Sequence, residues 1–461
     1  MARFIYLCGA KLPAVFLISI VIPGCYFNDP KDFIRNKNGN IVVFKKMKTM
    51  KFIIKTVLVI CAFTLGLSSC RKDKEQAYNY LISEEFAVNY QKTAINNLMD
   101  LAAQTYSGVS SLKTHVVSDV NVYKLVYHTN PAGENIEASG LVCVPSTPGE
   151  YPVLSFQNGT NTLYNFAPSV YLAYPYYQLV EIIASMGFIV VMPDYPGFGS
   201  STQIPHPYLI TDPTVQSIID MFRAVKEGCG TILPGITVKN EYYLMGYSQG
   251  GWATASLHKA LETVYPEEFN LAGSVCGAGP YNMIDLFIGI IGSSTYPMPS
   301  YLCYIINAYK SYQQFSNPIT DILREPYASR LSSLYNGTMD LGQINNQLND
   351  TISVLFTPAF VNGYVSSSSY SSLREALADN SVIPWHTNKP LFLGHGDSDT
   401  HVSLTTTETF YNAMIDAGTS SQTITKVIYP GLDHDDALLP CVTDGLLYLL
   451  SIRDKEELPV K

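Results

Sequence analysis

The sequence predicts an α/β fold, with one mostly parallel central sheet flanked by helices and a helical insertion late in the chain. Three observations carry this. Short apolar runs of four to six residues alternate with amphipathic stretches, the pattern of strand–crossover–strand units. Polar, glycine-containing turns follow four of those runs at their carboxyl ends, where open α/β sheets gather their chemistry. No internal repeat occurs, and the roughly 390 residues after an amino-terminal leader suit one large domain with an insertion.

Residues 1–70 read as leader and are excluded from the fold. Met50-Lys51-Phe52-Ile53-Ile54-Lys55 is basic, Thr56 to Leu67 is apolar, and Leu67-Ser68-Ser69-Cys70 follows. This resembles a lipoprotein signal peptide ending in a lipobox, which implies that Cys70 is acylated and becomes a lipid anchor. The apolar stretch is too short to span a bilayer, which needs about 20 residues. Buried acyl chains, at ~0.8 kcal/mol per CH₂, then give membrane attachment and a cell-envelope location, periplasmic or surface-exposed. A second apolar run, Ala14 to Ile22, ends in Pro23-Gly24-Cys25; two tandem leaders point to a true start at Met47 or Met50. Residues 71–82, opening on Arg71-Lys72-Asp73-Lys74-Glu75, read as a charged tether.

The core is expected over 83–280 and 386–461. A leading helix is expected over Ser83–Tyr106, where Ile95, Leu98, Met99 and Ala102 recur at helical spacing. Strands are expected at Val122–Tyr127, Gly140–Val144, Pro152–Phe156, Phe188–Pro193, Tyr242–Met245, Gly273–Cys276, Pro390–Leu393 and Ile424–Tyr429. Helices are expected at Tyr176–Met186, Thr214–Lys226, Gly250–Tyr265 and Ala437–Ile452. Between them, 281–385 reads as a helical cap insertion with apolar runs at Ile284–Ile291 and Leu302–Tyr309. Its apolar face either lines a pocket or merely packs on the core.

Composition excludes several function classes. The leader holds ten of the 29 Lys/Arg and two of the 38 Asp/Glu, leaving 19 basic and 36 acidic residues from Cys70 onward, a net charge of −17. A nucleic-acid partner needs the opposite sign. Neither a phosphate-binding glycine loop nor a metal-ligand set occurs, so no cofactor and no metal are expected. Beyond the leader, Cys143, Cys229, Cys276, Cys303 and Cys441 are odd in number and widely spread, as befits core thiols. A monomer is expected.

The most specific local pattern is Gly246-Tyr247-Ser248-Gln249-Gly250-Gly251, directly after an expected strand and before an expected helix. A serine on so sharp a turn is strained, and Gly246 and Gly250 keep Cβ atoms from colliding with neighbouring backbone. The turn lifts the hydroxyl to a helix N-terminus, where N–H groups favour developing negative charge. Ser248 is therefore the candidate nucleophile, and the N–H of Gln249 the first candidate oxyanion donor. A serine nucleophile requires a base and an orienting acid. Asp397 and Asp399 follow one expected strand and His434 the last one. His434 is the candidate base, in preference to His395 and His401, which flank the acids on one loop.

Four motifs in order, L-S-F-Q-N-G-T, V-M-P-D-Y-P-G-F-G, G-Y-S-Q-G-G and G-H-G-D-S-D-T-H-V, resemble the α/β-hydrolase superfamily from about Val122 to Ile452. They are similar to secreted bacterial lipases and esterases of the secretory-lipase type. The resemblance implies an α/β-hydrolase fold and places the acid at Asp399, the fifth position of H-G-x-x-D-x-x-V. Asn158-Gly159-Thr160 resembles the His-Gly-x loop of lipases with Asn158 in the histidine place. It implies a second oxyanion donor at Thr160 N–H.

A serine ester hydrolase acting on a small-molecule, lipid or glycan ester is thus expected. A serine peptidase and a feruloyl or acetyl esterase are the alternatives on the same fold, with a non-catalytic binding lipoprotein more distant. Six aromatics after the oxyanion loop (Tyr164, Phe166, Tyr171, Tyr174, Tyr176, Tyr177) could stack on a sugar or aryl group, although ordinary packing accounts for such a run equally well in a chain with 33 tyrosines.

Overall fold

The computed structural model describes residues 79–456 apart from 132 and 232, together with a two-residue antiparallel ladder between β1 (Ile34–Arg35) and β2 (Ile41–Val42). Cys70 and most of the expected leader and tether lie outside the described residues.

Nine further strands build one sheet: β3 (Leu81–Tyr90), β4 (Val120–Thr129), β5 (Ile136–Pro145), β6 (Gly149–Gln157), β7 (Ile189–Pro193), β8 (Ile236–Tyr247), β9 (Leu271–Gly277), β10 (Leu391–Gly396) and β11 (Ile424–Tyr429). Their order is β11-β10-β9-β8-β6-β7-β5-β4-β3. From β11 to β7 every pair is parallel, whereas β7–β5, β5–β4 and β4–β3 are antiparallel. All eight expected strands are present, several extended at one end. Because β6 lies between β7 and β8, crossover direction reverses there, opening the crevice in which such sheets bind ligands.

The expected leading helix is a correction. Leu81–Tyr90 is edge strand β3, paired with β4, and the helix is confined to α1 (Lys92–Ala102). Register shifts between Leu81 and Ser83 and between Phe86 and Val88 break the two-residue period that would have marked a strand. The Glu227 carboxylate accepts from the backbone N–H groups of Asn79, Tyr80 and Leu81 and fixes the strand's start. The expected tether therefore ends before Leu81.

Core packs on both sheet faces. On one lie α3 (Thr211–Gly228) and α4 (Gln249–Thr263); on the other lie α1, α2 (Pro175–Glu181) and α9 (Leu438–Glu456). In α3, Val215, Ile218, Ile219, Phe222 and Val225 recur on one stripe and are buried. Each contributes roughly 1.5–3 kcal/mol of apolar transfer. The five cysteines of the described core are free thiols.

Between β9 and β10 run α5 (Met283–Ile291), α6 (Pro299–Ser311), five shorter helices, a 3-10 turn and α7 (Ser371–Asp379); α8 (Leu404–Asp416) follows β10. The apolar run Leu302–Tyr309 on α6 is buried and packs inward. No described helix is long and apolar enough to cross a membrane.

Candidate active site

Ser248 directly follows β8 and precedes α4 with φ +59° and ψ −122°, a strain of order 1–3 kcal/mol for an L-residue. The backbone around it allows only glycine at the crossings. A Cβ on Gly246 would lie 2.3 Å from the Gly250 carbonyl oxygen, and one on Gly250 1.9 Å from that of Gln157. Ser248 N–H donates to Gly277 O at 2.8 Å, which ties the turn to β9.

His434, in the loop after β11, places Nε2 2.9 Å from Ser248 Oγ and Nδ1 2.6 Å from Asp399 Oδ2. Asp399 and His434 are buried, while Ser248 is half-exposed. Asp399 Oδ1 accepts from the N–H groups of His401 and Val402, both at 2.9 Å. Burial by itself would raise this carboxyl. Hydrogen bonds from His395 and His434, the His434 charge and the Val402 N–H outweigh it and hold Asp399 well below the usual carboxylate range.

The other candidates, Asp397, His395 and His401, make no hydrogen bond to Ser248 or His434. Asp397 is exposed and accepts from Gly431 N–H at 2.7 Å, the part of a loop-capping residue. His395 is fully buried at the end of β10, with Nδ1 2.7 Å from Thr407 Oγ1 and Nε2 2.9 Å from Val402 O. His401 lies beside His434, with ring centroids 5.1 Å apart, and does not reach Ser248 in any hydrogen bond. Tyr247 Oη donates to His434 O at 2.8 Å and anchors the His434 backbone.

Gly159 and Thr160 border the same cavity as Ser248 and His434. Their loop is anchored on both sides. Asn158 Nδ2 donates to Pro193 O at the end of β7 at 2.8 Å, and Gln157 Oε1 accepts from Thr254 Oγ1 on α4 at 2.7 Å. Gln249 opens α4, so its N–H belongs to a helix N-terminus adjoining Ser248.

The cavity is about 290 Å³. Phe166, Tyr174, Tyr176, Tyr177, Tyr247 and Tyr301 supply aromatic walls, and Leu341, Asp435 and Leu438 complete the rim. Four of the six aromatics noted in the sequence thus face the nucleophile's cavity. Tyr164 packs on Phe198 instead, and Tyr171 stacks on Tyr174. Tyr301 and Leu341 reach the site from the insertion, at least about fifty residues from either flanking motif, and nothing local in the sequence marks them. His206 and Tyr208, shortly after the V-M-P-D-Y-P-G-F-G motif but not part of it, stand behind Gln249 and Thr160. Among the described residues no cluster of His, Cys, Asp or Glu could hold a metal ion.

The secretory lipase family model matches residues 174–439, more than half of the chain. No curated protein sequence matches it. Among solved structures, a Legionella pneumophila protein described as a hydrolase superposes with a TM-score of 0.72 at 24% identity, covering 82% of this chain and 100% of its own. The rice cell wall degrading esterase LipA from Xanthomonas oryzae gives 0.68 at 24% identity, covering 81% and 97%. Candida antarctica lipase A in its closed state gives 0.60 at 16%, covering 83% and 84%. At these identities the likeness is one of fold.

Proposed function

The chain belongs to the secretory lipase family and is an ester-bond hydrolase, and we propose that it works through Ser248, His434 and Asp399 by way of an acyl-enzyme. The observation that carries this is the continuous chain Ser248 Oγ–His434 Nε2, 2.9 Å, and His434 Nδ1–Asp399 Oδ2, 2.6 Å.

In this reading His434 Nε2 takes the hydroxyl proton as Ser248 Oγ attacks the ester carbonyl. Asp399 fixes the tautomer with the proton on Nδ1 and stabilises the imidazolium. The N–H groups of Gln249 and Thr160 receive the oxyanion, each contributing about 3 kcal/mol to the transition state. His434 then protonates the leaving alcohol, and afterwards activates the water that releases the acid. The strained Ser248 backbone keeps Oγ presented, so no reorganisation precedes attack.

The ring-lined cavity of about 290 Å³ supports short acyl or aryl esters over long-chain triglycerides. Tyrosine faces with hydroxyl rims also suit a sugar-linked ester, which keeps the feruloyl or acetyl esterase reading as the second choice. Export and attachment through a lipidated Cys70 fit membership of a secretory family and complete the proposal.

The decisive experiment uses the mature protein, an aryl-ester assay and a fluorophosphonate label. Ser248 should be the labelled residue, and Ser248→Ala should lower turnover by about 10⁶-fold while leaving the melting temperature near the parent value. Turnover within tenfold of the parent would sink the assignment.

A further inference from the structure

We propose that His206 and Tyr208 are positioning residues of the oxyanion hole, gripping Gln249 and Thr160 from behind and themselves held by helix α6 of the insertion. The inference rests on the roles of Ser248, Gln249 and Thr160 proposed above.

His206 Nδ1 lies 2.8 Å from Pro196 O, and His206 Nε2 lies 2.8 Å from Gln249 Nε2. A carbonyl only accepts, so Nδ1 carries the proton and Nε2 accepts from the Gln249 amide. Burial pushes the His206 imidazole down to about 4, against the smaller upward pull of Pro196 O, so the ring is neutral at neutral pH. Two residues later, Tyr208 Oη is 2.8 Å from Thr160 Oγ1. One three-residue segment therefore bonds the side chains of both residues whose N–H groups face the developing charge.

That segment is fixed from the far side. Tyr309 Oη donates to Leu209 O and Tyr312 Oη to Pro205 O, both at 2.9 Å. The Tyr208 ring stacks on Tyr304 with centroids 4.3 Å apart and planes 11° apart. Tyr304 Oη also donates to Asn161 O, one residue beyond Thr160. These three tyrosines lie on α6 or directly after it. Helix α6 thus holds the His206–Tyr208 segment and the oxyanion loop together, and a displacement near 1 Å at such a site costs about 10² in rate.

Tyr208→Phe removes one hydroxyl and keeps the ring stack. His206→Leu removes the acceptor for Gln249, and His206→Gln returns an oxygen near the place of Nε2. Turnover should fall about tenfold or more in Tyr208→Phe and His206→Leu, with KM within about twofold, and recover in His206→Gln. Affinity for an aryl trifluoromethyl ketone, whose adduct oxygen occupies the hole, should weaken by the same factor. Parent-like turnover and ketone affinity in Tyr208→Phe overturn the proposal, and so does a loss carried by KM or by a fallen melting temperature alone. Should His206→Leu not fold, Tyr208→Phe decides by itself. A Ser248→Ala variant that retains turnover refutes instead the reading on which the inference rests.

Discussion

His395 and His434 converge on one oxygen of Asp399: His395 Nε2 lies 3.1 Å and His434 Nδ1 2.6 Å from Oδ2. Val402 O, which can only accept, fixes the His395 proton on Nε2, so its N–H is shared between that carbonyl and the carboxylate. Asp399 is thereby held by four donors, two imidazoles and two backbone N–H groups, inside a buried site. His395, set aside as a base on sequence grounds, is thus a partner of Asp399.

His395→Phe should lower both turnover and stability at pH 7. The Asp399 pKa is depressed in the fold, so its stabilising contribution is present above the unfolded carboxylate range and lost as pH falls through the folded value. The difference in urea midpoint between parent and variant should therefore be widest near neutrality and shrink below about pH 4. A gap that stays constant with pH would show that lost packing alone is responsible.

Asp399→Asn and Asp397→Asn separate the two loop acids. The first should lower turnover by about 10⁴-fold, the scale expected when the imidazole tautomer is no longer fixed. The second removes only a loop cap and should stay within a few-fold. Steady-state rates on an aryl ester decide, and equal losses would place the acid wrongly.

Gly250→Ala tests the crossing beneath the nucleophile. The added carbon would sit 1.9 Å from the Gln157 carbonyl oxygen, a backbone atom that cannot rotate away. Overpacking of this kind costs about 1–3 kcal/mol or more, and the shift would also move the oxyanion loop. Lower melting temperature together with lost turnover is expected; a parent-like melt would show that β6 yields.

Glu181 is fully buried, and neither carboxylate oxygen makes a hydrogen bond of good geometry. Burial pushes it up to about 7, and the nearby Tyr90 hydroxyl offsets only part of that. With a folded pKa above the unfolded one, the protein is favoured below the unfolded value, and this advantage is lost as pH rises through about 7. Glu181→Gln should be more stable than the parent at pH 8, by up to about 3 kcal/mol, and level with it at pH 4. Urea melts at the two pH values measure this, and equal stability at pH 8 contradicts it.

The amino-acid sequence by itself determined the strand–helix alternation and the glycine-flanked elbow at Ser248, because these are local. A strand's period, a Cβ clash and a helix start are settled within a dozen residues. It also narrowed acid and base to the loops after two strands, since chemistry collects at the carboxyl ends of parallel strands. Only the tertiary structure showed which of Asp397 and Asp399, two residues apart on one loop, reaches His434, because that depends on the loop's path. It alone turned Leu81–Tyr90 into an edge strand, where pairing with β4 outweighed a pattern blurred by two bulges. It alone also brought His206, Tyr208, Tyr301 and Leu341 to the site, from segments far apart in the chain whose meeting is fixed by packing rather than by any nearby residue.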